Sequence, residues 1–149
     1  MSRKKEEKSD NRKGTVLQKI VTVEFHTRDF LQIVIGAAIL AIPVGFTQET
    51  WDLGEALPVR NVIGFLVVSL VFISMFTYYH YYRNHLKKHF DEFIKRVFFT
   101  YFVAFLVVAI LLSLIGKTPW ITDRILALKR IILVTFPASM SGAIADTIK

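Results

Sequence analysis

Apolar and charged residues are segregated along this chain in blocks. Four stretches, 30–46, 62–82, 97–115 and 131–148, carry no formal charge or a single one and run for 17, 21, 19 and 18 residues. A helix that crosses a bilayer needs about 20 mostly apolar residues, with a working range of about 17–25. The pattern predicts an all-α fold: a polytopic membrane protein with four transmembrane helices at about 30–48, 61–82, 97–115 and 130–148, within a membrane domain 30–149.

The flanks read differently. Residues 1–14 hold 6 Lys/Arg, 3 Asp/Glu and no aliphatic after Met1. Such a segment cannot bury enough to fold and is expected to be a disordered cytoplasmic tail. In 15–25, Val16, Leu17, Ile20 and Val21 fit a helical stripe, while Val21, Val23 and Phe25 alternate with polar residues as a strand does. A lone strand beside a bilayer has nothing to pair with, so an interfacial helix over 15–29 is the expectation. Thr27 or Asp29 then caps the first span. Leu86, Phe90, Phe93 and Val97 recur at helical spacing, so the second and third spans should extend past the bilayer to a short turn near 84–89. Tyr78, Tyr79, Tyr81 and Tyr82 form an interfacial aromatic belt. Thr118-Pro119-Trp120 has the form of an N-cap, a first-turn proline and an interface aromatic, predicting that the last helix starts near Thr118.

Composition narrows the function classes. Of 149 residues, 53% are hydrophobic and 21% charged, and no cysteine is present. Loops of about 15 residues leave no room for a soluble catalytic or nucleotide-binding module. Disulfides, cysteine metal sites and thiol chemistry are out. The first apolar block begins only at Phe30, with no A-x-A cleavage site after it, so it is read as a retained span. The net charge of +7 flanks the spans, where it sets orientation and meets anionic headgroups, so nucleic acid is not an expected partner. With the N-terminus inside, the cytoplasmic segments hold 14 Lys/Arg and the outer ones 5. The positive-inside rule then places both termini in the cytoplasm.

The spans are of two kinds. The second and third are bulky and read as lipid-facing or generic packing helices. The first and fourth carry small residues at spacing four: Ala37, Ala41 and Gly45, then Ala138 with Gly142, Ser139 with Ala143 and Ser141 with Ala145. Such faces let helix backbones approach closely in lipid. Each of these helices also holds a proline, Pro43 and Pro137, which removes a backbone hydrogen bond and kinks the helix. The first and fourth spans should therefore pack together at the core, and Ala41 should tolerate enlargement less than Ser69 of the second span. The same features fit tight packing alone and a lined pathway.

Two acids lie nearest the apolar blocks. Glu49 follows the first span, with Lys129 or Arg130 as candidate partners, and Asp146 lies within the last, with Arg28 as candidate partner. An interfacial cap or ion pair and a pathway role compete for each. His85 and His89 have the i, i+4 spacing of a helical metal site, yet Lys87 and Lys88 lie between them and no HExxH accompanies them. They read as a solvated basic face, and no metal or cofactor is expected. No catalytic constellation is visible, so the chain is not expected to be an enzyme.

The run from Gly36 and Ala37 through Pro43 to Phe46-Thr47-Gln48-Glu49-Thr50-Trp51-Asp52-Leu53-Gly54 resembles the signature of an uncharacterised family of prokaryotic integral membrane proteins. The closing 137–143 stretch is similar to that family's last helix. Longer family members have more spans and often a second Trp, where this chain has Thr50 or Asp52. The resemblance implies that Pro43, Thr47, Glu49, Trp51 and Gly54 form a motif; it brings no activity. The leading expectation is a small channel-like or transport protein for ions or solutes in a prokaryotic cell membrane, acting as a homo-oligomer. The alternative is a membrane scaffold or accessory subunit that conducts nothing.

Overall fold

The structure, a computed structural model, describes residues 13, 27–82 and 90–148. The chain divides into two units, Met1–Leu31 and Gln32–Lys149. Of the first, the described residues are Lys13 and the opening of helix α1; everything below concerns the second unless stated. The expected tail and interfacial helix before Thr27, apart from Lys13, lie outside the described residues, as do His85 and His89.

Five helices are described: α1 (Thr27–Gly45), α2 (Gln48–Ala56), α3 (Val59–Thr77), α4 (Phe90–Leu114) and α5 (Arg124–Thr147). A π-helical turn, Tyr78–Tyr82, continues α3. No strand occurs among the described residues. Helices α1, α3, α4 and α5 are long and apolar enough to cross a membrane. The all-α, four-span reading therefore holds. Large apolar side chains such as Ile39, Val71, Phe102 and Ile110 stand exposed on all but α5's middle, the pattern of a bundle solvated by lipid.

The helix boundaries differ from expectation for local reasons. Thr27 and Asp29 are already helical, so neither is the cap of α1. The first span ends at Gly45 instead of about 48, because the chain turns at Phe46 and Thr47 stands extended (ψ 137°) as the cap of α2. The region read as an open loop after the first span is mostly α2. It stops at Ala56 because Leu57 precedes Pro58, which disfavours the helical region for Leu57; Leu57 sits at ψ 135°. At the end of α4, Gly116 adopts φ +70°. The Lys117 amide donates to the Leu112 carbonyl (3.0 Å) and the Gly116 amide to Ser113 (3.1 Å). This is a Schellman closure, which glycine allows without strain.

The last helix does not start near Thr118. Residues 120–122 form a turn, and Asp123 caps α5 by accepting from the Leu126 amide at 3.0 Å. Thr118 and Trp120 instead point back to α4, both donating to the Ser113 hydroxyl (3.1 and 2.9 Å).

Helix α5 is the centre of the bundle, in contact with α2, α3 and α4 and, through its glycine, with α1. The small faces of α1 and α5 meet. Ala37, Ala41 and Ala138 are buried in one cluster with Ile131 and Val134, and Gly142 lies under Ile33 and Ala37. The bulky third span is more than a lipid-facing helix, because its Ala104, Val108 and Leu112, four residues apart, complete that cluster. Large knobs on α4 fill what the small faces leave open, as close packing demands. Ser69 is fully buried where α3 packs, so it is no tolerant counterpart to Ala41.

Candidate functional site

Two polar clusters mark the two ends of α5. The first is built on Asp146, in the last turn of the helix. Its side chain is almost wholly buried, and Arg96 of α4 reaches it with two nitrogens, Nε at 3.1 Å and Nη2 at 2.5 Å from Oδ2. Both N–H groups converge on one carboxylate oxygen, and Oδ1 is buried without a hydrogen-bond partner among the described residues. Tyr81 completes the cluster. Its hydroxyl donates to the Asp146 carbonyl (3.0 Å) and stands 3.5 Å from Oδ2, while the Arg96 guanidinium lies 4.0 Å over its ring. Tyr81 belongs to the π-helical turn, a geometry frequent at functional sites. At the same end the Gln32 amide donates to the Ile148 carbonyl at 2.8 Å.

A charge placed within a span costs several kcal/mol unless paired, and such residues mark ion or substrate pathways more often than chance. Pairing with Arg96 compensates the carboxylate here. The sequence reading singled out Asp146 but paired it with Arg28. Arg96 and Tyr81 were missed as its partners, although both lie in segments read as reaching the same membrane face.

The second cluster, at the start of α5, gathers two of the residues named with the resemblance, Trp51 and Gly54. Trp51 of α2 donates its indole N–H to the Gly45 carbonyl at 2.8 Å, satisfying an acceptor at the open end of α1. Lys117 stands 4.1 Å over the same ring, a cation–π contact. Gly54 is buried because Arg130 of α5 occupies the space beside it; a Cβ there would lie 2.6 Å from Arg130 Cγ. From that position Arg130 donates to the Trp51 carbonyl (3.2 Å) and the Lys117 carbonyl (2.8 Å), with Glu55 at 3.9 Å. Lys129 donates to the Glu55 carbonyl at 3.4 Å.

The other named residues are not brought together. Glu49 is exposed on the first turn of α2 and makes no ion pair among the described residues. Glu55, six residues on, stands where Glu49 was expected, because α2 presents its Trp51–Gly54–Glu55 face to α5. Thr47 is exposed and donates to the Val44 carbonyl, sharing a further hydrogen bond with Thr50. Pro43 is exposed in the last turn of α1, and Pro137 is half-buried inside α5. Around Pro137, the Thr135 and Ser139 hydroxyls donate to the Ile131 and Phe136 carbonyls. Of the packing residues, Gly45 meets Leu112 and Val134 at ordinary contact distance. The tightest approach is at Gly36, missed by the spacing-four reading. A Cβ there would collide with Ala145 and lie 2.8 Å from the Ser141 carbonyl. No group of three or more metal-ligating side chains occurs among the described residues.

Comparison with curated proteins finds no match, and comparison with solved structures finds none either. A family model does match, over residues 1–148. The four apolar helices and that near-complete match place the chain in one family: it belongs to DUF2391, described as "putative integral membrane protein".

Proposed function

We propose that the protein is a small transport protein for ions or small solutes, acting as a homo-oligomer, with the Arg96–Asp146–Tyr81 cluster as its charge-handling site. The observation that carries this reading is the burial of Asp146 within a membrane helix, with one carboxylate oxygen held by Arg96 and the other without a hydrogen-bond partner among the described residues. An intramembrane carboxylate with a spare acceptor can take a proton or a small cation, and such groups line relays and pathways in transport proteins. A single bundle packs α1 against α5 through glycine and alanine, so a path through several copies is proposed. The same packing supports a second reading, a scaffold or accessory subunit that conducts nothing. Neither reading includes catalytic chemistry. We place the protein in a prokaryotic cell membrane with residues 83–96 facing the cytoplasm, a reading supported by the Lys/Arg asymmetry.

The test is ion flux in proteoliposomes. The parent should conduct, and Tyr81→Phe, which removes one hydroxyl, should alter flux or its pH dependence with the oligomer intact. Asp146→Asn should abolish flux, read at equal folded protein because the uncompensated Arg96 charge also lowers stability. Glu49→Gln, on the exposed face of α2, should leave flux near the parent's. Parent liposomes no leakier than protein-free ones would hand the case to the scaffold reading.

A further inference from the structure

Buried polar side chains are not spread evenly through the bundle. Ser69 and Thr77 of α3, Thr100 of α4, and Thr135, Ser139 and Asp146 of α5 are all buried, whereas the buried side chains of α1, Ile33, Ala37 and Ala41, are apolar. Helical spacing aligns the polar set with the cluster at Asp146. Thr77 stands four residues from Tyr81, Thr100 four from Arg96, and Ser139 and Thr135 seven and eleven from Asp146. These positions lead from the cluster towards the middle of the bundle, where α3, α4 and α5 pack on one another. From Asp146 to Thr135 the helix rises about 16 Å, about half the thickness of a bilayer core of about 30 Å. Beyond Thr135 the junction is closed by Val108, Leu112, Ile131 and Val134.

Two buried atoms beside this track have no hydrogen-bond partner among the described residues: Asp146 Oδ1 and the Tyr101 hydroxyl. Tyr101 follows Thr100 on α4 and packs on the cluster of Ile73, Val97 and Ala143, and Ala143 lies one turn before Asp146. A carboxylate oxygen accepts, and a phenol both donates and accepts. Buried groups of this kind are costly to leave unpaired, so an ion that both can handle is favoured there. A hard metal cation takes about six oxygen ligands, and the side chains packed around Tyr101 are apolar. A proton needs one oxygen, and hydroxyls can pass it on.

We propose that the transported ion is the proton, taken up at Asp146 Oδ1 and passed through the Tyr101 hydroxyl into the track of Thr100, Thr77 and Ser139. The proposal rests on the transport reading and names its ion. Tyr101 accepts the proton from Oδ1 on its oxygen and releases its own hydroxyl proton onward. One O–H bond forms as another breaks, the phenol stays neutral, and Asp146 returns to its ion pair with Arg96. Thr135 and Ser139 donate to carbonyls of their own helix, which leaves oxygen lone pairs to receive a proton. The track serves the half of the crossing next to Asp146, and the path between copies serves the other half.

Proteoliposomes holding the full chain and an internal pH dye test this, with Na⁺ and K⁺ fluxes recorded in parallel under the same imposed potential. The parent should pass protons faster than protein-free vesicles, and Na⁺ and K⁺ no faster. Tyr101→Phe keeps the ring and removes the hydroxyl. It should lower proton flux about tenfold or more, yet unfold in mild detergent at or above the parent's temperature, because an unpaired buried donor is lost. Ser139→Ala should lower proton flux as well, and Tyr78→Phe, on an exposed side chain, should match the parent. A parent that passes Na⁺ or K⁺ but no protons would overturn the proton assignment and leave the transport reading standing. Proton flux unchanged by both Tyr101→Phe and Ser139→Ala would overturn the track. So would a loss of flux that only follows a loss of folded protein, since Tyr101 would then be structural. A parent that passes no ion would overturn this proposal together with the transport reading.

Discussion

Two glycines of this chain have opposite meanings. Gly36 lies where any Cβ would strike α5, so enlargement must push backbones apart. Gly64 on α3 has nothing within 4 Å of its Cβ position. Gly36→Val should destabilise by about 1–3 kcal/mol, as overpacking does, while Gly64→Ala should change stability by less than about 0.5 kcal/mol. Thermal unfolding in mild detergent compares them, and equal losses would refute the assigned contact between α1 and α5. The ion pair makes a different demand. Removing one partner of a buried pair costs about 3–5 kcal/mol, whereas replacing both by apolar residues is often neutral or stabilising. Arg96→Met or Asp146→Leu alone should therefore be poorly stable, and the double variant should recover much of the loss. A double variant as unstable as the sum of the singles would show that the two groups act independently. Asp146 was legible in the sequence as an acid inside an apolar run. Its partner was not, because pairing depends on which helices meet, and hydropathy is silent about that.

At the scale of elements, the least apolar helix is tied down most specifically. Helix α2 has no apolar face long enough to hold it, and its attachment rests on Trp51, Gly54 and the fork of Arg130. Lysine cannot reproduce donors that diverge in this way. Arg130→Lys should raise amide exchange across 48–56 by an order of magnitude, about 1.4 kcal/mol, and leave the middle of α4 unchanged. Uniform exchange across both elements would count against this tether. The four long helices could be read from block length and helical period. Helix α2 could not, since its nine residues are polar on average and fold onto α5 through contacts remote in sequence. The start of α5 was misplaced for a related reason. Thr118-Pro119-Trp120 has the local form of a helix start, but Thr118 and Trp120 are drawn to Ser113 on α4, and Asp123 caps instead.

At the scale of the molecule, the absence of cysteine makes the proposed orientation open to a clean experiment. Cysteines placed singly at Ser9, Asn84 and Glu55 should react with an impermeant reagent from outside only at position 55, and external labelling at 84 would reverse the proposed orientation. The central place of α5 has a consequence for how the protein is made. Helices α1, α3 and α4 precede it in the chain and leave the ribosome first. They enter the membrane with Gly36 still lacking the α5 backbone it packs against and Arg96 still lacking Asp146. Each of the three must therefore wait in lipid, its contact face covered by acyl chains or an insertion chaperone. Arrival of the last helix then closes the bundle and neutralises Arg96 in one step. A nascent chain halted before Asp123 should remain a substrate for membrane proteolysis, and one released after Thr147 should escape it.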